Sequence, residues 1–154
     1  MPKLDLIRKV ASSPRVSPEV LSVLSRLRER SIIRLISQNP NAPPDALERL
    51  SASEDEGIRI HVASHPNCPE AVLRRLAGDP SPGVRRAVAE NPKVSDEILE
   101  LLSLDPDPEV RAKVAERGHP GILMRLSSDE SEKVRRAVAS NRRPPGGPGR
   151  GSFR

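Results

Sequence analysis

HPNCPEAVLRRLAGDPSPGVRRAVAEN, residues 65–91, decides the fold, because almost everything between Pro2 and Asn141 is an approximate copy of it. It reads as a short helix, a Gly-Asp-Pro turn, a second helix and an Asn-Pro stop. The register of the copies can be counted. Leu21, Leu47, Leu73 and Leu99 stand 26 residues apart and Leu123 follows after 24; Leu24, Leu50, Leu76, Leu102 and Leu126 keep the same intervals. So do Ile32, Ile58, Val84, Val110 and Val134, and likewise Ile36, Val62, Val88, Val114 and Val138. Four apolar columns at one period, in units too small to bury them alone, predict a solenoid whose neighbouring units stack into one continuous core.

Working outward, full units run approximately 14–38, 40–64, 66–90, 92–116 and 118–140, and Leu4 to Ala11 matches a second helix alone. The chain thus holds about five and a half units of 24–26 residues. Lys3, Asp5, Arg8 and Lys9 fit a polar N-terminal cap on the stack. In the first helix of the unit, Val72, Leu73 and Leu76 make the apolar stripe while Glu70, Arg74 and Arg75 face away. The second helix is predicted to start at Ser53, Asp79, Asp105 and Asp129, with Pro80 and Pro106 at its first position and capping boxes from Ser53 to Glu56 and from Asp129 to Glu132. It ends where Pro40, Pro66, Pro92 and Pro120 arrive, with Asn39, His65, Asn91 and Asn141 suited to left-handed C-caps. The last unit is two residues short at Gly118-His119-Pro120-Gly121, which should shorten its first helix or the approach to it without moving Leu123.

Composition bounds the alternatives. Among 154 residues 35% are hydrophobic, but Phe153 is the single aromatic, so Leu, Val, Ile and Ala must build the core. Cys68 is the lone cysteine and has no partner for an internal disulfide. No secretory leader or apolar run long enough to span a bilayer is visible, and the reading is a cytoplasmic protein with no membrane contact. Charge is uneven: residues 1–34 hold eight Lys and Arg against three acids, 35–141 hold fourteen against eighteen, and 142–154 hold four Arg and no acid. The tail RRPPGGPGRGSFR has no apolar period and reads as a disordered basic segment after the repeats of 1–141.

The pattern carried by Asn91-Pro92, Pro69, Leu73, Leu76-Ala77, Asp79-Pro80, Val84-Arg85 and Ala87-Val88-Ala89 resembles the leucine-rich repeat variant family. The resemblance implies an all-α, right-handed superhelix in which layers of α-helix alternate with shorter, partly 3₁₀ helices and no β-sheet occurs. The Asp followed six residues later by Arg is also similar to HEAT repeats. Members of the family can hold an iron–sulfur centre on an N-terminal cysteine cluster; no Cys precedes Cys68, so no cofactor carries over.

Arg59, Arg85, Arg111 and Arg135 occupy one column just after the core Ile or Val, and are read as a structural ladder to Asp residues of the neighbouring unit. The next column, Arg8, Arg34, Ile60, Arg86, Ala112 and Arg136, forms with Gln38, Ser64, Glu90, Glu116 and Ser140 the outward face of the second helices. Arg8, Arg34, His61, Arg86, Glu90, Lys113, Glu116 and Arg136 are the candidate partner-binding residues on it. His61, His65, His119 and Cys68 are the only soft metal-ligand candidates, and His65-x-x-Cys68 lacks the second pair that a structural zinc needs. No Gly-rich phosphate loop, Gly-x-Ser-x-Gly or His-Glu-x-x-His is present, and the repeats offer no aromatic to stack on a base. The reading is a non-enzymatic scaffold for protein or peptide partners. The alternative is nucleic-acid binding through the basic N-terminal cap and the Arg-rich tail.

Overall fold

The computed structural model describes residues 2–141; the sequence-predicted disordered tail, 142–154, lies outside them. The described residues form eleven α-helices and no strand: α1 (Pro2–Ser12), α2 (Pro18–Leu24), α3 (Arg30–Gln38), α4 (Pro44–Leu50), α5 (Glu56–Ser64), α6 (Glu70–Leu76), α7 (Pro82–Glu90), α8 (Asp96–Leu102), α9 (Pro108–Arg117), α10 (Pro120–Leu126) and α11 (Glu132–Ser140). Odd helices stack on odd helices from α1 to α11, each even helix from α4 to α10 touches the odd helix before it and the one after it, and α2 packs on α3 and α4. Two layers result, a long-helix layer and a layer of seven-residue helices. Helices this short are marginal in isolation, so packing holds them.

The short helices are α-helical, and their 3₁₀-type bonds lie at the ends: in α6, Val72 N–H donates to Pro69 O at the entrance, and Gly78 N–H to Arg75 O and Asp79 N–H to Leu76 O at the exit. The four apolar columns meet between the layers. Every member is buried except Leu24, which is half-buried. A further column, Ala11, Ser37, Ala63, Ala89 and Ala115, is buried as well, and its small side chains let adjacent long helices approach closely. Leu6, which shares the register of Ile32, is 63% exposed, so the first layer is less polar than a cap should be. Among the described residues no short helix precedes α1 to cover it.

The long helices start two residues later than the sequence pattern suggests. Asp79 Oδ1, Asp105 Oδ1 and Asp129 Oδ1 accept from the N–H groups of Ser81, Asp107 and Ser131, each at 2.9 Å, and Ser53 Oγ accepts from Asp55 N–H. These are Asx-type turns, and they hold the chain extended for two more residues. The caps are instead Asp55, Ser81 and Asp107, with Pro82 and Pro108 at the first helical position. The expected capping boxes therefore do not form. The C-caps differ too: Asn39, His65, Asn91 and Asn141 are extended, with ψ between 125° and 137°. For the first three the following proline accounts for this, because its ring disfavours helical backbone in the residue before it.

In the short unit α10 keeps seven residues and Leu123 stays buried, so the deletion falls on the approach. The α9 helix runs one residue longer than α3, α5, α7 and α11, and only Gly118 and His119 link it to α10. A Cβ on Gly118 would stand 3.0 Å from Ile122 Cγ2 and 3.1 Å from Val114 O, which is why glycine occupies this tight corner.

Candidate binding face and the ladders beneath it

Two sets of polar side chains tie each repeat to the next. Arg59 Nε donates to Asp79 Oδ2 at 2.9 Å, Arg85 Nε to Asp105 Oδ2 at 2.7 Å and Arg111 Nε to Asp129 Oδ2 at 2.8 Å, with a second guanidinium nitrogen on the other oxygen each time. The remaining nitrogen turns back to the carbonyls that open its own helix: Arg85 donates to Asp79 O at 2.8 Å and Arg111 to Asp105 O at 2.8 Å. One Arg thus closes its own turn and clamps the neighbour's. The Asp129 carboxyl is held below its ordinary range, first by its hydrogen bond from Arg111, and the Arg111 guanidinium is raised by the same bond. Arg135 grips Asp129 O and has no further Asp beyond it among the described residues. At the other end the rung is missing, because Ile33 and Ser53 stand where Arg and Asp would.

The second set runs along the opposite turns. Asn39 Nδ2 donates to Ala11 O and Ser13 O of the preceding repeat, Asn91 Nδ2 to Ala63 O and His65 O, and Asn141 Nδ2 to Ala115 O. Asn41 and Asn67, two residues further on, repeat the device toward Pro14 and Val16, and toward Pro40 and Ala42. His65 takes the asparagine's place. Its Nε2–H donates to Asn39 O at 2.7 Å while Nδ1 accepts from Asn67 N–H at 3.0 Å, a pattern that requires the neutral ring. Burial lowers its pKa, opposed by the Asn39 hydrogen bond.

Both ring nitrogens of His65 are thus committed, and burial pushes the Cys68 thiol up to about 12, so this pair is not poised to ligate a metal. Among the described residues no three of His, Cys, Asp and Glu are grouped as a metal site. His119 bridges to Glu100 at 3.0 Å on the short-helix layer, away from the other histidines.

The eight candidate partner-binding residues all lie on odd helices, and most are tied to neighbours. Arg8 meets Asp5 and Ser31; Arg34 meets Asp55 at 3.1 Å, and that bond is the first cause of the lowered Asp55 pKa. The His61 and Gln38 side chains meet at 3.0 Å. Arg86 faces Glu109 at 3.9 Å, Lys113 lies between Glu90 and Glu116, and Arg136 pairs with Glu132. The resulting surface is a grid of alternating sign across α3 to α11. The column through Arg34 and Arg86 is less outward than its register suggests: Ala112 is only 5% exposed, because α9 is sandwiched between α7 and α11. Lys113, Glu116 and Arg136 border an open groove of about 400 Å3 between α9 and α11. The asparagine ladders escaped the sequence reading although their 26-residue spacing was visible, since Asn before Pro also fits a cap.

A stack of paired helices with repeated cores and polar ladders defines an α-helical repeat solenoid. Within that class, residues 59–118 match the family model described as the Leucine Rich Repeat Variant domain, the family that the repeated columns resemble. Among solved structures the chain is similar to one titled "a leucine-rich repeat variant with a novel repetitive protein structural motif", at 26% identity and a TM-score of 0.42 over 83% of this chain. The match spans 63% of that chain's length. An engineered protein matches at 16% identity and a TM-score of 0.38, over 86% of this chain and 78% of its own. No curated protein matches.

Proposed function

We propose that this repeat protein is a non-enzymatic scaffold and that the charge grid on the odd helices, from Arg34 through Arg86 and Glu90 to Arg136, docks a protein or peptide. One observation carries the reading: ion pairs link Arg34 of α3 to Asp55 at the head of α5, α7 to α9, and α9 to α11, on stacked helices that core packing and ladders already hold in place. A pre-formed surface costs little ordering on binding. Alternating sign favours a partner that presents charges of both signs over a phosphate backbone, which would meet Glu90, Glu109 and Glu116 along its path.

The test is affinity capture with residues 1–141, comparing Arg86→Glu with Arg136→Glu against Glu97→Lys with Arg125→Glu on the short-helix layer. Loss of the same captured species with the first pair alone is the expected result. Equal loss with both pairs moves the docking surface away from the odd helices. Capture of nucleic acid by residues 1–141 at 200 mM salt replaces the reading with a nucleic-acid one.

A further inference from the structure

The missing first rung leaves an opening. Ile33 and Ser53, the residues that stand in for Arg and Asp, both line a cleft of about 630 Å3 between the first and second full repeats. That volume is in the range of pockets that hold a small ligand or a few side chains, about 300–1,000 Å3. Leu27, Ile33 and Leu50 give it apolar surface, and Arg26, Arg28 and Arg30 contribute guanidinium groups. Arg26 and Arg28 are exposed and form no ion pair among the described residues, while Arg30 reaches Asp55 only at 3.8 Å. Asp55 is already committed to Arg34 and to capping α5 through Gly57 N–H. Three closely spaced arginines therefore face one committed carboxylate, Asp55, and one exposed one, Glu54, beside an apolar patch that the later repeats lack, because Arg59 and Asp79 stand there in the places of Ile33 and Ser53.

We propose that this cleft binds an acidic peptide segment of a partner protein, with an aliphatic side chain against Leu27, Ile33 and Leu50 and flanking carboxylates on Arg26, Arg28 and Arg30. The ligand supplies the carboxylates that the absent Asp does not, and guanidinium forks match carboxylates with two parallel hydrogen bonds. A peptide fits better than a nucleic acid, since it can set an aliphatic side chain against the apolar patch, and no aromatic is there to stack on a base. Apart from Asp55, which pairs with Arg34, the cleft shares no residue with the charge grid, and the substitutions that test one site leave the residues of the other in place.

The probe is a fluorescein-labelled peptide of alternating Glu and Leu, titrated into the full chain by anisotropy beside Lys/Leu and Glu/Ser counterparts. Micromolar binding of the Glu/Leu peptide alone is expected. Arg26→Glu with Arg28→Glu should weaken it at least tenfold at an unchanged melting temperature, and Arg86→Glu with Arg136→Glu should leave it unchanged. Rebuilding the rung with Ile33→Arg and Ser53→Asp should raise the melting temperature and abolish binding. No binding of the Glu/Leu peptide, equal binding of either counterpart, retained binding after the rung is rebuilt, or displacement of the peptide by a poly-thymidine strand each overturns the proposal.

Discussion

At the scale of single residues, the ladders separate side chains that hold repeats together from those that merely stand on the surface. Arg85 and Asp105 show 14% and 4% side-chain exposure, so Arg85→Ala strands a buried carboxylate and two turn carbonyls. The cost should be about 3 kcal/mol. Arg135→Ala, which breaks only an exposed bond to Asp129 O, should cost about 0.5 kcal/mol. Urea melts of the two variants check the contrast. His65 makes the second ladder sensitive to pH. Its folded pKa lies below the ordinary 6.5, so an unfolded chain takes up a proton that the folded ring refuses. The contribution is intact above that value and is lost as pH falls through 6.5 toward the folded pKa. His65→Asn, which restores the residue of the neighbouring columns, should flatten that part of the curve; melts between pH 8 and 5 decide it.

At the scale of elements, the turns carry what the helices cannot vary. Gly118→Ala should cost about 1 kcal/mol, because its Cβ meets Ile122 and the Val114 carbonyl, whereas Gly78→Ala finds nothing closer than 3.6 Å and should stabilise by about 0.5 kcal/mol. Thermal melts of the pair would show opposite signs. The turns are also where the sequence misleads. Period and apolar columns place every helix, since burial repeats whether or not the neighbour is known. The start of α7 is misplaced by two residues because Asp79 serves equally well as a cap or in an Asx turn, and Ser81, two residues on, takes the cap instead. The stops at Asn39 and Asn91 are misassigned in conformation because the proline after each holds the backbone extended, and their amides then reach carbonyls 26 to 28 residues upstream. Of the candidate face, the helix on which each residue lies was legible, but the pairings of Lys113 with Glu90 and of Arg86 with Glu109 across α7 and α9 were not, because they depend on how far each repeat rotates from the last.

At the scale of the molecule, stability is a sum over interfaces between neighbours, so it need not be uniform along the stack. The interfaces from α5 onward to α11 are each closed by an Arg–Asp rung, and the one between α3 and α5 is not. Leu24, the half-buried member of its column, lies in the same region, as do the exposed Val20, Val23 and Leu27. The N-terminal repeats should therefore open before the central ones. Native-state hydrogen exchange should find the α3 amides, Ile36 among them, exchanging at least tenfold faster than those of Val88 in α7 and Val114 in α9. Restoring the rung by Ile33→Arg with Ser53→Asp should bring α3 toward the protection of α7 and leave α9 unchanged, because a nearest-neighbour stack transmits little beyond the adjoining layer. Uniform protection from α3 to α9 would instead make the whole stack one cooperative unit, in which a single missing clamp is shared by every repeat.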